Sequence, residues 1–244
     1  MSKTRLPNNF LQGKLALITG GSQGIGLAIA HALADEGCNL IISGRNRPRL
    51  NRAAKELCKR TQVTALACDV RDPRSVRRMF ALVTWKFKTL EILINSAGIA
   101  HAFRPTAEVS AKEWTDVIAT NLTGTFLVTQ AALPLMRRGG AIANVLSMSA
   151  KRAFPNLSAY NASKFGALGF TNTLREELRR QGIRVIAVLP GSTDTPIWKT
   201  LWPKAPRHKM IRPETVAEAV VAALQLPPES TVEELAIMPT CGPL

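Results

Sequence analysis

Tyrosine occurs once in these 244 residues, and histidine three times. Any chemistry that needs a phenol therefore falls to Tyr160. The four cysteines, Cys38, Cys58, Cys68 and Cys241, show no metal-ligand spacing, so no metal is expected. They read as reduced thiols of a cytoplasmic protein. No apolar run approaches the roughly 20 residues of a membrane span. Met1-Ser-Lys-Thr-Arg-Leu has no apolar core, so no signal peptide is expected, and residues 1–12 read as a flexible arm. Internal repeats, low-complexity tracts and long linkers are lacking too, which leaves residues 13–244 as a single domain.

Negative charge is also scarce: Asp+Glu number 17 against 32 Lys+Arg. The basic residues crowd Arg45–Arg60, Arg71–Arg78 and Arg175–Arg184, and none follows Arg212. A net charge of +15 can draw nucleic acid, anionic lipid or acidic ligands. Here the clusters alternate with apolar residues at helical spacing and carry no interleaved aromatics. They read as solvated helix faces, with no nucleic-acid partner expected.

What is present is a repeated alternation. Short apolar runs at Lys14–Thr19, Asn39–Ser43, Val63–Cys68, Leu90–Asn95, Ala141–Leu146, Arg184–Leu189 and Glu234–Met238 read as buried strands. Helical patterns separate them, notably Leu27–Gly37, Arg47–Thr61, Pro73–Lys88, Ala111–Met136, Ser158–Gln181 and Pro213–Leu226. The expected fold is α/β: a doubly wound, Rossmann-type parallel sheet of about seven strands with helices on both faces. Gly20, Arg45, Asp69, Asn95, Ser147 and Pro190 all fall at strand carboxyl ends, where such sheets bind ligands.

Two stretches carry chemistry. Gly20-Gly-Ser22-Gln23-Gly24-Ile25-Gly26 lies between a strand and a helix. Its glycines let backbone approach a pyrophosphate, and the helix N-terminus offers free N–H groups. Further on, Tyr160 and Lys164 stand four apart on a helix, so they share a face. Ser147 ends the strand before them. A hydroxyl, a phenol and an ammonium can converge there, the ammonium lowering the phenol pKa and the serine holding a carbonyl oxygen.

Together these motifs resemble the short-chain dehydrogenase/reductase family. The matching residues are Thr19-Gly-Gly-Ser-Gln-Gly-Ile-Gly26, Asn95-Ser-Ala97-Gly98, Asn121, Ser147, Tyr160-x-x-x-Lys164 and Pro190-Gly191-x-x-x-Thr195. The resemblance implies a reaction, the interconversion of a carbonyl and a secondary alcohol by hydride transfer. It implies that Tyr160 is the general acid/base and that Lys164 tunes it and holds the nicotinamide ribose. Ser147 would orient the carbonyl, with Ser149 beside the substrate, and Asn121 would position a relay water. Asp69 and Val70 would flank adenine, with Asn95, Ala97 and Gly98 also on the cofactor. Pro190, Gly191, Thr193 and Thr195 would hold the carboxamide end. It also implies a homo-oligomer, tetramer or dimer, joined through helices Ala111–Met136 and Ser158–Gln181. Ser96 stands where the family has a second Asn, and Lys88-Thr89 where a glycine turn is common. The ending Glu-Glu-Leu-Ala-Ile-Met-Pro-Thr is similar to hydroxy-acid and carbonyl reductases rather than to acyl-carrier ketoreductases.

Ser43-Gly44-Arg45 closes the second strand without a carboxylate, and Arg45 can pair with a 2′-phosphate. NADP(H) is thus expected over NAD(H). Residues 194–212 match a substrate lid carrying Trp198, Trp202, Lys199, Lys204, Arg207, His208 and Lys209. They read either as an apolar lid with a cationic rim for acidic substrates, or as a surface helix anchored by two tryptophans. The alternative to an enzyme is a dinucleotide-binding regulator or nucleic-acid-associated protein on the same fold.

Overall fold

The computed structural model describes residues 10–242. Residues 1–9 of the expected arm lie outside the described residues. Its remaining part, 10–12, packs on the core: Leu11 is buried and its carbonyl accepts from the Cys38 thiol.

Seven strands form one parallel sheet: β1 Leu15–Thr19, β2 Asn39–Gly44, β3 Val63–Ala67, β4 Ile92–Asn95, β5 Ala141–Val145, β6 Arg184–Pro190 and β7 Glu234–Ile237. Their order is β3-β2-β1-β4-β5-β6-β7. The chain reverses direction across the sheet between β1 and β4, and the carboxyl ends diverge there to leave a crevice. Strands β1, β4 and β6 are buried throughout, as their unbroken apolar runs require.

Helices α1 (Gly24–Asp35), α2 (Arg47–Leu57), α3 (Pro73–Lys86), α4 (Ala111–Ile118), α5 (Gly124–Ala132), α6 (Ser158–Arg179), α7 (Trp198–Leu201) and α8 (Pro213–Leu224) cover both faces. Leu33, Leu50 and Val220 pack α1, α2 and α8 on one side. Phe80, Val128 and Leu174 pack α3, α5 and α6 on the other. No helix among the described residues is long and apolar enough to cross a membrane.

The single helix expected over 111–136 is not continuous. A π turn, Ala119–Thr123, separates α4 from α5, and a 3₁₀ turn at Leu133–Leu135 follows where Pro134 breaks the ladder. Hydroxyls supply bonds around the wide turn: Thr120 donates to the Asp116 carbonyl at 2.8 Å, and Thr125 to the Asn121 carbonyl at 2.9 Å. The turn carries Asn121, so the irregularity sits at the site.

The clusters Arg45–Arg60 and Arg71–Arg78 are mostly solvated, as expected, but two arginines of the third are not. Arg184 is buried and donates to the carbonyls of Leu224 at 2.8 Å and Leu226 at 3.1 Å, capping α8. Buried Arg175 donates to the carbonyls of Val185 and Glu233. At Lys88-Thr89, the Thr89 hydroxyl and the Leu15 N–H both donate to the Glu91 carboxylate, which holds that loop without a glycine.

Candidate active site

The crevice at the switch point is a cavity of about 340 Å³. It runs from the glycine turn after β1 to Tyr160 on α6. Gly20 has φ +67°, and a Cβ there would lie 2.8 Å from the Ser96 carbonyl oxygen and 2.9 Å from Ala97. Only glycine fits that contact. The Thr19 hydroxyl secures the same junction by accepting from the N–H groups of Ser96 and Ala97 at 3.1 and 3.2 Å. Ser96 therefore serves through its backbone, which explains why the family's Asn is not needed.

α1 opens directly onto this cavity. Its N-cap residue, Gln23, makes no side-chain bond to the helix, and no acidic residue occupies the first turn. The leading N–H groups and the positive end of the helix dipole are thus free for an anion. A Cβ on Gly26 would meet the Gly20 carbonyl oxygen at 2.5 Å, so helix and turn close up only with glycine there. This cradle fits a pyrophosphate.

Of the residues expected at the cofactor, Gly20, Ser22, Gln23, Gly24, Ile25, Arg45, Val70, Ala97, Gly98, Pro190, Gly191, Thr193 and Thr195 line the cavity. Gly26 acts from behind the turn instead. Asp69 is not on the wall: its carboxylate faces Arg71, whose Nη2 donates at 2.8 Å and whose hydrogen bonds hold its pKa below the usual range. Asn95 is also turned away. Its Nδ2 donates to Thr129 Oγ1 and Asn144 Oδ1, both at 2.9 Å, and so ties β4 to β5 and α5. A residue at a strand end can point to either face, and sequence spacing alone did not show which.

Sequence reading passed over Arg49. It lines the cavity beside Arg45, and its guanidinium donates to Gln23. Asn46 caps α2 by accepting from the Arg49 N–H at 2.9 Å, which sets Arg49 one turn into the helix and facing back over the cleft. That cap, Asn followed by Pro48 at the helix start, was the available signal.

At the other end stand Ser147, Ser149, Tyr160 and Lys164, all on the cavity wall. Ser147 accepts from the Ser149 N–H at 3.1 Å and contacts the Tyr160 phenol. Lys164 is buried and donates to the Val145 carbonyl at 3.0 Å, with its Nζ 5.6 Å from the Tyr160 ring centre. Burial pushes its pKa down to about 8. Burial also raises Tyr160 above its ordinary value, and the Ser147 contact opposes that only partly. In the free protein the Lys164 ammonium sits beside the ring and bonds to a carbonyl; the lowering of the phenol is an expectation for the complex with oxidised nucleotide.

Asn121 is off the wall, behind Gly98. Its Oδ1 accepts from the Ile99 N–H at 2.9 Å, and its Nδ2 donates to the Ile99 carbonyl and to Ser163 Oγ. The side chain is fully used in fixing the loop after β4 to α6. Trp198 lines the cavity and donates from Nε1 to the Thr193 carbonyl at 2.8 Å; Trp202 does not line it and lies outside against Phe103.

The free-protein pKa order is open to test because the chain has one phenol. The tyrosinate midpoint should lie above that of an ordinary tyrosine, because burial disfavours the phenolate, and Ser147→Ala should move it higher still. A midpoint at or below 10 in the folded protein contradicts the geometry.

Glycine cradle, switch-point cleft and the Tyr160–Lys164 pair on the cleft wall together define a Rossmann-type oxidoreductase. Residues 14–206 match the short chain dehydrogenase family. Sulfoacetaldehyde reductase 2 of Chromohalobacter salexigens is 35% identical over 237 residues, 93% of this chain and 94% of that protein. An alcohol dehydrogenase of the archaeon Thermococcus sibiricus, solved with 5-hydroxy-NADP, superposes with a TM-score of 0.87 at 31% identity, covering 94% of this chain and 97% of that one. A 3-ketoacyl-(acyl-carrier-protein) reductase from Brucella melitensis, solved with NADH, gives 0.84 at 30% identity over 94% and 98%. The chain belongs to the short chain dehydrogenase family and is an oxidoreductase.

Proposed function

We propose that the protein is an NADP(H)-dependent reductase of carbonyl compounds, with Tyr160 as the proton donor. The observation that carries this is the meeting of Ser147, Tyr160 and Lys164 at the floor of a cleft whose other end is a glycine cradle. The nicotinamide, when bound, supplies the hydride. The chain supplies position and proton. Ser147 offers a hydroxyl to the carbonyl oxygen. Tyr160 gives its proton to the same oxygen as it gains charge. Lys164, buried beside the ring and bonded to the Val145 carbonyl, places a positive charge next to the phenol and holds the nicotinamide ribose in this reading. Asn121 is a positioning residue, holding the backbone of Ile99 in place. For an alcohol substrate the same groups run in reverse.

NADP(H) is favoured by Arg45 and Arg49 together at the end of β2, with no carboxylate on that wall. Charge-assisted bonds to a 2′-phosphate are worth roughly 1.5–3 kcal/mol each. Replacing both arginines with alanine should weaken NADPH binding by about 100-fold and leave NADH binding within a few-fold, read by nucleotide fluorescence. An unmutated protein that binds the two nucleotides equally contradicts the assignment.

Exposed Trp114, Phe126 and Phe165 on α4, α5 and α6 mark the face through which copies would associate. Light scattering should find a dimer or tetramer at micromolar concentration, and a monomer would refute it. A cytoplasmic setting belongs to the same reading, since all four cysteines are free thiols. The nucleic-acid alternative rests on the +15 net charge; against it, Arg175 and Arg184 are buried and Arg60, Arg71 and Arg179 pair with carboxylates.

A further inference from the structure

Resting on the reductase reading, we propose that the substrate is an uncharged carbonyl compound with an aromatic or branched apolar group. The group would sit in a vestibule walled by Phe103, Phe154, Leu157, Trp198 and Leu201, all on the cavity wall beside Tyr160.

Three loops build that vestibule, one after each of β4, β5 and β6. They are stitched by backbone. The Phe103 N–H donates to the Leu201 carbonyl at 3.0 Å, and the Arg104 N–H to the Asn156 carbonyl at 3.1 Å. The segment over the cleft is therefore docked, with its apolar side inward. At the mouth, Phe103 and Trp202 meet with ring planes tilted by 56° and centres 6.2 Å apart, and they remain 40% and 39% exposed. An aromatic rim leading to an apolar wall favours a flat or branched apolar body.

Charge decides against an acidic substrate. The charged side chains on the cavity wall are Arg45, Arg49 and Lys164. The first two stand at the far end, on β2 and α2. Lys164 is bonded to the Val145 carbonyl. The cations of the lid point elsewhere: Lys199, Lys204, His208 and Lys209 are exposed and off the wall, and Arg207 pairs with Asp194. Of the other cations in the vestibule loops, Lys151 pairs with Glu234 and Arg104 with Glu113, while Arg152 is exposed and off the wall. A carboxylate or sulfonate in the vestibule would be desolvated without a partner, which is costly. Of the two readings of the lid, the cationic rim is thus turned to solvent, and the helix is anchored by Trp198 and Leu201 rather than by two tryptophans.

The test compares kcat/KM with NADPH for propiophenone, phenylglyoxylate and sulfoacetaldehyde. The first two match in shape and differ in charge. Propiophenone should exceed both acids by about tenfold or more, because each acid would shed water from its charge without gaining a partner. Phe103→Arg should narrow that gap by about tenfold by placing a cation at the mouth. Preference for either acid in the unmutated protein overturns the proposal.

A turnover-free arm separates this from the reductase reading. Quenching of tryptophan fluorescence in the free protein is titrated with N-methylbenzamide and with benzoate. Tighter binding of the neutral amide, by about tenfold, supports the vestibule. Equal or tighter benzoate binding overturns it. If the amide is preferred yet none of the three carbonyls is reduced, the reductase reading fails and the apolar site stands.

Discussion

Tyr160→Phe is expected to lower kcat by about 10³-fold while NADPH affinity changes little. General acid catalysis by a positioned group is worth roughly 10² to 10⁴. The variant keeps the ring, which packs with Leu157 and Trp198, so no cavity opens. It removes the one hydroxyl that Ser147 contacts. Circular dichroism should be unchanged, and nucleotide fluorescence should report normal binding. Turnover at the unmutated rate would make Tyr160 a wall residue of the vestibule and nothing more.

The second large effect belongs to Lys164→Met. Turnover should fall by about 100-fold, because neither phenol nor nucleotide ribose keeps an ammonium nearby. Stability should move the other way. Lys164 loses its proton near pH 8 in the folded chain, against 10.5 for an ordinary lysine. Below pH 8 both folded and unfolded chains carry the charge, and the folded state bears the full burden of burying it. Between 8 and 10.5 the unfolded chain binds more protons, so stability rises with pH. The shift corresponds to on the order of 3 kcal/mol, offset by about 1 kcal/mol for the lost bond to the Val145 carbonyl. The methionine variant should therefore melt at least as high as the unmutated protein at pH 7. Its advantage should shrink as pH rises through 8 to 10. A variant that melts several degrees lower at pH 7, or a melting difference that does not change with pH, contradicts a charged, buried Lys164.

These effects rest on features of unequal legibility. The sheet could be read because β1, β4 and β6 are buried on both faces, and burial forces unbroken apolar runs. The glycine turn could be read because positive φ at Gly20 and Gly24 leaves few residue choices. Side-chain direction was harder. Asn95 and Ser147 both sit at strand ends, yet one joins the interior network and the other the cleft. Asp69 looked available until its partner Arg71, two residues on, was seen folded back upon it. The π turn at Asn121 carries no breaker, so helical periodicity runs through it unmarked. The lid misled through composition: five basic side chains in twelve residues say nothing of which face they occupy. Their direction is set by Trp198 and Leu201, which take the inner face because only they can be buried there.

The central claim is that hydride passes in this cleft from nicotinamide to a carbonyl carbon. It is tested most directly by supplying NADPH deuterated at the transferring position of the nicotinamide ring, with propiophenone, and analysing the product by mass spectrometry. The account predicts an alcohol carrying one deuterium on the carbinol carbon, formed by the unmutated protein and about 10³-fold more slowly by Tyr160→Phe. Recovery of unreduced propiophenone alone, from protein shown to bind both NADPH and N-methylbenzamide, would contradict it.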